Sequence, residues 1–282
     1  MITDEQHGFL CPPIIRAGAE AIFLLATTRI ATTTESIFEP RPPTRIYTGH
    51  HFLLVLVASR DERARSQLQD SLEHQRGQPP ITTLVLDTDQ FRQWLREGHP
   101  FAHSISRKVR PLYNAADPPL PEAAPINEEK LAAENRILYR QTLSLAQGFM
   151  AGADLFLLRG QYRLAAFMLH QATEQALRTL IVLHTGLHLQ THNVERLLRY
   201  CQLFRPGLFQ LFDDDESDRS LLHLLQKAYI DARYRSTYTI NGQQAAALAQ
   251  KVKTIQEIFT KEGPCVNGHT TQDACRPVMN EG

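Results

Sequence analysis

The proline-rich segment at residues 114–127, with the sequence NAADPPLPEAAPIN, constrains the fold of this chain more than any other stretch. Proline has no backbone N–H and a fixed φ, so neither a helix nor a central strand continues through such a segment. Strand patterns lie before it, and only helical patterns follow it. We therefore predict two domains, residues 20–113 and 128–261, joined by a linker at 114–127 and followed by a disordered tail at 262–282.

Strands and helices alternate in the first predicted domain. Short apolar runs predict strands at residues 21–27, 51–58 and 82–86. Helices are predicted at residues 61–76 and 89–98, and a last helical turn and strand within 100–113. The threonine-rich stretch TTRIATTTES, residues 27–36, predicts a loop. The alternation favours a small α/β domain with a partly parallel or mixed sheet and helices packed against it.

The second predicted domain has helical periodicity throughout. Its helices are predicted at residues 128–159 (one helix or two), 162–185, 192–204, 217 or 218 to 234, and 243–260. Such a series predicts an all-α antiparallel bundle. The fold class that follows is α+β with two domains, a small sheet domain and then a helical bundle.

Charge and cysteine content exclude several classes of function. The 282 residues carry 30 Lys and Arg against 30 Asp and Glu, which lacks the strongly basic balance of a dedicated nucleic-acid binder but still allows a local basic patch. The apolar run AIFLLA is too short to span a bilayer, so we expect a cytoplasmic protein with no membrane partner. The four scattered cysteines predict reduced thiols, and neither CVNGHTTQDAC nor the pair His50–His51 predicts a metal site.

Polar residues repeat along one side of the second predicted helix of the bundle. His170 and Glu174 are four residues apart and share a face, and Arg178 lies one turn further on. One interpretation is a solvated face with an ion pair between Glu174 and Arg178. The other is a binding surface that includes His192, which begins the next predicted helix.

The fourth predicted helix of the bundle ends in a cationic and aromatic cluster. Lys227, Asp231 and Arg235 are spaced four residues apart, and a simple charge ladder accounts for them. Arg233 and Tyr234 also suggest a binding site, because a guanidinium and an aromatic ring at a helix end can bind a phosphate and a base.

Three segments of the bundle resemble the HEPN domain, named for higher eukaryotes and prokaryotes nucleotide binding. They are HQATEQALRTL, THNVERLL and AYIDARY, in that order, and the resemblance spans roughly residues 149–259. It implies an antiparallel helical bundle, usually dimeric, that binds nucleotides or RNA. Many members of the family are ribonucleases or toxins whose motif is an Arg, a polar residue and a following His. Here Arg233 or Arg235 fits the arginine position, but residues 236–244 contain no His, which favours binding without cleavage.

HEPN domains often neighbour minimal nucleotidyltransferases, and the first predicted domain resembles one in strand order. Such enzymes have Gly-Ser after one strand and Asp-x-Asp on the next, which hold two Mg²⁺ ions. This chain has Thr27-Thr28 and Gly49-His50-His51 at these places, with no acidic residue between Glu39 and Asp61. We therefore expect an inactive nucleotidyltransferase-like domain.

The sequence thus predicts a regulatory protein that acts as a homodimer and binds a nucleotide or RNA. No catalytic residue, metal or cofactor is assigned, apart from a bound nucleotide. The alternatives are a metal-independent ribonuclease of toxin–antitoxin type, an active nucleotidyltransferase and a structural dimerisation module. The predicted contact residues are His170, Glu174, Arg178, His192, Lys227, Asp231, Arg233 and Tyr234.

Overall fold

A computed structural model describes residues 4–33, 44–74, 80–235 and 237–263. The chain divides into two compact units, Met1–Ile126 and Asn127–Gly282. Among the described residues, no helix is both long and apolar enough to cross a membrane.

The first unit contains a four-stranded mixed sheet. Its elements are α1 (Asp4–Arg16), β1 (Ala19–Thr33), β2 (Thr44–Val57), α2 (Glu62–Glu73), β3 (Ile81–Asp87), α3 (Thr88–Glu97), α4 (Pro100–Lys108) and β4 (Pro111–Asn114). The strand order is β3-β2-β1-β4. β2 is parallel to β3 and antiparallel to β1, and β4 is antiparallel to β1. The predicted mixed sheet with helices is confirmed.

The central strand β2 is buried on both faces, as its continuous apolar run predicts. Leu53, Val55 and Val57 belong to a core with α1, α2 and β3. On β1, Phe23 contacts Phe91 of α3, with ring centroids 6.2 Å apart. Because successive side chains of a strand point to opposite faces, helices can cover both sides of the sheet.

The predicted loop at residues 27–36 is wrong for residues 27–33, which continue β1. The backbone there pairs with β2 from Thr27 opposite His51 to Thr33 opposite Thr44. Threonine and isoleucine favour extended backbone, and the partner strand supplies the hydrogen bonds that a loop would leave to water. Pro40, Pro42 and Pro43, for which we predict irregular structure, lie outside the described residues.

The proline-rich segment packs on α3 and α4 within the first unit. The backbone N–H of Ala124 donates to the carbonyl of Leu95 at 2.8 Å. Arg92, which is buried, donates to the carbonyl of Pro118. The division between the two units falls after Ile126.

The second unit is helical in its described part. Its helices are α5 (Glu128–Leu158), α6 (Tyr162–Thr185), α7 (Val194–Cys201), α8 (Gly207–Gln210), α9 (Glu216–Ala228), α10 (Asp231–Tyr234) and α11 (Gly242–Glu262). α6 is central, since α5, α7, α9, α10 and α11 all contact it. Small buried residues such as Ala165, Ala172 and Ala176 let the surrounding helices approach it closely.

Several boundaries differ from the predicted ones. The fourth predicted helix is interrupted at Tyr229 and Ile230, where α9 ends before α10 begins. α7 begins at Val194 and not at residue 192, and the side chain of its N-cap residue, Asn193, accepts from the N–H of Arg196. Residues 128–158 form one helix and not two. The predicted disordered tail lies, beyond Gly263, outside the described residues.

Candidate functional site

The candidate site is built on α6, at the side where α7, α9 and α10 pack against it. His170 and Glu174 are 0% and 1% exposed, so the solvated-face interpretation is wrong for these two residues. A polar pattern along one helix predicts an exposed face when the helices that cover it are not known. Burial of a charged side chain is costly unless it is paired, so their contacts matter.

Glu174 has two hydrogen-bonding partners on one of its oxygens. Its Oε1 accepts from Nδ1 of His192 at 2.9 Å and from Nη1 of Arg178 at 3.3 Å. Its Oε2 is buried and has no hydrogen-bond partner among the described residues. The predicted Glu174–Arg178 pair is therefore present, and the same carboxylate also orients His192.

His192 reaches this carboxylate from the segment before α7. Its side chain is 53% exposed, while that of Glu174 is almost fully buried. A histidine whose Nδ1–H is held by a carboxylate presents its Nε2 to the surroundings in a fixed orientation. The pair therefore offers one oriented and solvent-accessible imidazole.

His170 is neutral at neutral pH. Burial lowers its pKa to about 4, and the nearby charges of His192 and Arg233 act in the same direction, while the backbone of His192 opposes them. Its Nδ1 lies 3.8 Å from Oε2 of Glu174, and its Nε2 is buried without a hydrogen-bond partner in the described part of the chain. His170 is thus a polar ring inside the bundle and does not contact solvent.

Tyr229 joins these histidines and is the main residue that the sequence-based set omits. Its ring stacks against His192, with centroids 4.5 Å apart, and against His170 at 5.2 Å. It occupies the interruption between α9 and α10, so its direction depends on a helix break that the sequence pattern does not reveal.

Arg233 lies over aromatic rings at the surface. Its guanidinium carbon is 4.8 Å from the ring centroid of Phe167, 5.2 Å from that of Tyr229 and 4.9 Å from that of Tyr234. Its Nε and Nη2 donate to the carbonyl of Tyr229 at 3.0 and 2.6 Å. These contacts hold an exposed guanidinium in one place.

The other predicted contact residues lie at the edge of this cluster. Tyr234 is 73% exposed. Asp231 pairs with Arg235 at 3.1 Å, as the charge ladder predicts. Lys227 is exposed on α9. Tyr229 therefore contacts His170, His192 and Arg233 directly. Glu174 joins His192 to Arg178, and Tyr234 contacts Arg233. Lys227 and Asp231 lie beside this group on α9 and α10.

The described residues include no group of His, Cys, Asp and Glu arranged to hold a metal ion. In the sheet unit, Nδ1 of His51 lies 3.0 Å from Oγ1 of Thr27, and Nε2 of His50 lies 2.7 Å from Oγ1 of Thr82. Burial lowers the pKa of His51. Both histidines therefore contact threonine hydroxyl groups within the sheet unit.

Fold and site together define the class of protein: a mixed-sheet α/β unit followed by an α-helical bundle, in which an arginine, a tyrosine and histidines cluster where α7, α9 and α10 pack against the central helix. The bundle can be assigned more closely, because the family model of the HEPN domain matches residues 139–262. The C-terminal half of this chain is a HEPN domain.

Solved structures that resemble the chain include an archaeal HEPN homologue, with 18% identity and a TM-score of 0.34 over 44% of this chain and 97% of that one. A protein from Thermus thermophilus has 24% identity and a TM-score of 0.33 over the same shares. A nucleotidyltransferase-like protein from Exiguobacterium sibiricum has 12% identity and a TM-score of 0.29, over 96% of this chain and 80% of that one. No curated protein matches the sequence.

Proposed function

We propose that this protein binds a nucleotide or RNA at the surface formed by His192, Tyr229 and Arg233 on its HEPN domain. The observation that carries the proposal is the position of Arg233, whose exposed guanidinium is held over three aromatic rings. A fixed guanidinium is suited to a phosphate, because its planar donors pair with two oxygens at once.

The neighbouring residues can contact the sugar and the base of a nucleotide. His192, oriented by Glu174, can donate to or accept from a sugar hydroxyl or a base edge. Tyr234 presents an exposed ring next to Arg233, and base stacking on such a ring contributes about 1–3 kcal/mol. His170 is neutral and covered, so its part is to support the Tyr229 ring.

Calorimetric titration of the intact protein with ATP, GTP and a short single-stranded RNA tests this function. Arg233→Ala is expected to weaken binding about ten- to a hundredfold, the range for losing a charge-assisted bond to phosphate. Arg235→Ala is the matched control, because Arg235 is also exposed but pairs with Asp231. Absence of binding to all three ligands would refute the proposal.

A second function, metal-independent RNA cleavage, has support from the His192–Glu174 pair. A histidine on a buried carboxylate can act as a general base that removes the proton from a 2′-hydroxyl. The 2′-oxygen then attacks the adjacent phosphorus, the bond from phosphorus to the 5′-oxygen breaks, and the 5′-oxygen leaves as a hydroxyl with a proton from water. Arg233 would stabilise the developing charge on the phosphate oxygens. Cleavage of RNA in EDTA that is lost in His192→Ala at saturating RNA concentration would establish this activity.

We also propose that the protein is a homodimer. Exposed apolar side chains on α5, Ile137 and Leu155, lie about five helical turns apart and so on the same side of the helix. Leu158 extends this side and is 87% exposed. Light scattering is expected to give a dimer, and Leu155→Glu is expected to give a monomer. A monomeric wild-type protein would refute the proposal.

A further inference from the structure

Arg233 also borders an open groove that the residues discussed so far do not use. The groove has a volume of about 570 Å³. Its described lining residues are Gly160, Gln161, Tyr162, Arg163, Leu164, Ala232, Arg233 and Ile240. They come from the α5–α6 turn, the first turn of α6, α10 and the segment before α11.

The groove is cationic. Arg163 and Arg233 line it, and its described lining includes no acidic residue. Arg163 is held in place, because its Nη2 donates to the carbonyls of Arg235 at 2.6 Å and Ala232 at 3.3 Å. Its Nε is buried and has no hydrogen-bond partner within the described ranges. Asp231, the nearest acid in sequence, is paired with Arg235, so it does little to offset the two arginines.

One part of the groove is apolar. Leu164 is 37% exposed on the first turn of α6, although most of the residues that follow it in this helix are buried. Tyr162 and Ile240 also line the groove. An apolar surface beside fixed cations suits a ligand with a flat apolar part and an anionic link. A nucleotide has both parts, and the volume lies in the range of roughly 300–1,000 Å³ typical of small-ligand sites.

We propose that this groove is a second nucleotide subsite, so that the preferred ligand is a single-stranded RNA of at least two nucleotides. The inference rests on the proposed binding function. Arg233 is shared between the groove and the His192–Tyr229 cluster and therefore binds the phosphodiester that links the two nucleotides. A mononucleotide fills one subsite alone and gains nothing from the other.

The test compares the mononucleotide AMP with the dinucleotide ApA and the trinucleotide ApApA, titrated into the full-length protein by calorimetry. ApA is expected to bind about tenfold more tightly than AMP, since an added base in a stacking site contributes at least this factor. ApApA is expected to add little beyond ApA.

Leu164→Glu tests whether the gain arises in the groove, because it adds a negative charge and removes an exposed apolar wall. This variant is expected to bind ApA no better than AMP. Leu145→Glu is the control, since Leu145 is also an exposed leucine on the bundle but lies outside the groove.

The outcomes separate this inference from the function on which it rests. If AMP binds and ApA binds no more tightly, the second subsite is refuted while the proposed function stands. If ApA keeps its advantage in Leu164→Glu, the groove is not the subsite. If neither ligand nor the trinucleotide binds, both proposals fall together.

Discussion

Glu174 and His192 form a pair in which a buried carboxylate orients an accessible imidazole, with Oε1 and Nδ1 2.9 Å apart. Glu174 comes from the central helix and His192 from the segment before α7, eighteen residues later in sequence. Arg178 shares the same carboxylate oxygen. The pair therefore connects the interior of the bundle to the proposed ligand surface.

The first prediction concerns this carboxylate. Glu174→Gln keeps the shape of the side chain but removes the negative charge that Arg178 and His192 both contact. We expect the free energy of unfolding to fall by about 1.5–3 kcal/mol at neutral pH, the usual contribution of hydrogen bonds to a charged group. Urea denaturation measures it, with Glu257→Gln, an exposed site on α11, expected to change stability by less than about 0.5 kcal/mol. Equal losses in the two variants would contradict the assignment of Glu174 as a buried charge centre.

The second prediction concerns the pH dependence of stability. The pKa of His170 is about 4 in the folded protein against 6.5 for an unperturbed histidine. Between these values the unfolded chain holds more protons than the folded one, so stability falls as pH drops from 6.5 towards 4. This residue alone accounts for a loss of about 3 kcal/mol across that window.

His170→Phe tests that assignment, since phenylalanine keeps a ring beside Tyr229 but does not titrate. Urea denaturation at several pH values between 7 and 4.5 is expected to show a shallower decline in this variant than in the wild type. His223→Gln, at an exposed position of α9, is expected to keep the wild-type slope. An unchanged slope in His170→Phe would show that other groups cause the decline.

The third prediction concerns Glu262, at the end of α11. Burial raises the pKa of Glu262, but contacts with His184 and Arg205 outweigh this effect and hold the pKa below its usual range. Oε2 of Glu262 lies 2.5 Å from Nε2 of His184, and Oε1 of Glu262 lies 2.5 Å from Nη2 of Arg205. The stability contributed by this carboxylate is present above the unfolded-state pKa and is lost as pH falls through the folded-state value.

Arg205→Gln removes one of the two cations, and we expect the pKa of Glu262 to rise. A carbon-detected NMR titration of the glutamate carboxyl groups measures that shift directly. The accompanying loss of stability is expected to be about 1 kcal/mol, because Arg205 is partly exposed and solvent screens its charge. Arg219→Gln, which breaks the exposed pair with Asp213, should leave the Glu262 titration unchanged. If Arg205→Gln leaves the pKa of Glu262 unchanged, Arg205 is not a group that holds this pKa low.

Much of the fold can be predicted from local sequence patterns. Helix α6 has the predicted bounds, since Gly160 and Gly186 lie just outside its ends and both have positive φ. Strands β2 and β3 follow from apolar runs bounded by polar residues. The last part of β1 cannot be predicted in this way, because its threonine-rich segment becomes a strand only when β2 pairs with it.

The candidate site is less predictable because it depends on which helices cover α6. The spacing of His170 and Glu174 puts them on one face but does not say whether that face is buried. The HEPN resemblance supplies the order of the segments, yet Tyr229 and Phe167 enter the site through their stacking contacts with neighbouring helices. Such contacts follow from tertiary packing, so local sequence patterns do not determine them.

The last prediction distinguishes an aromatic residue that supports the site from one that contacts the ligand. Tyr229 stacks on both histidines and contacts Arg233, whereas Tyr234 is mostly exposed. Tyr229→Leu is expected to weaken RNA binding about tenfold and to lower stability by about 2–3 kcal/mol, since it removes the ring on which His192 and Arg233 rest. Tyr229→Phe keeps that ring and should change neither quantity much. Tyr234→Leu should weaken binding while leaving urea denaturation unaffected, because an exposed ring contributes stacking to a ligand but little to folding. If Tyr229→Leu binds RNA as well as the wild type, the ligand does not lie on this surface.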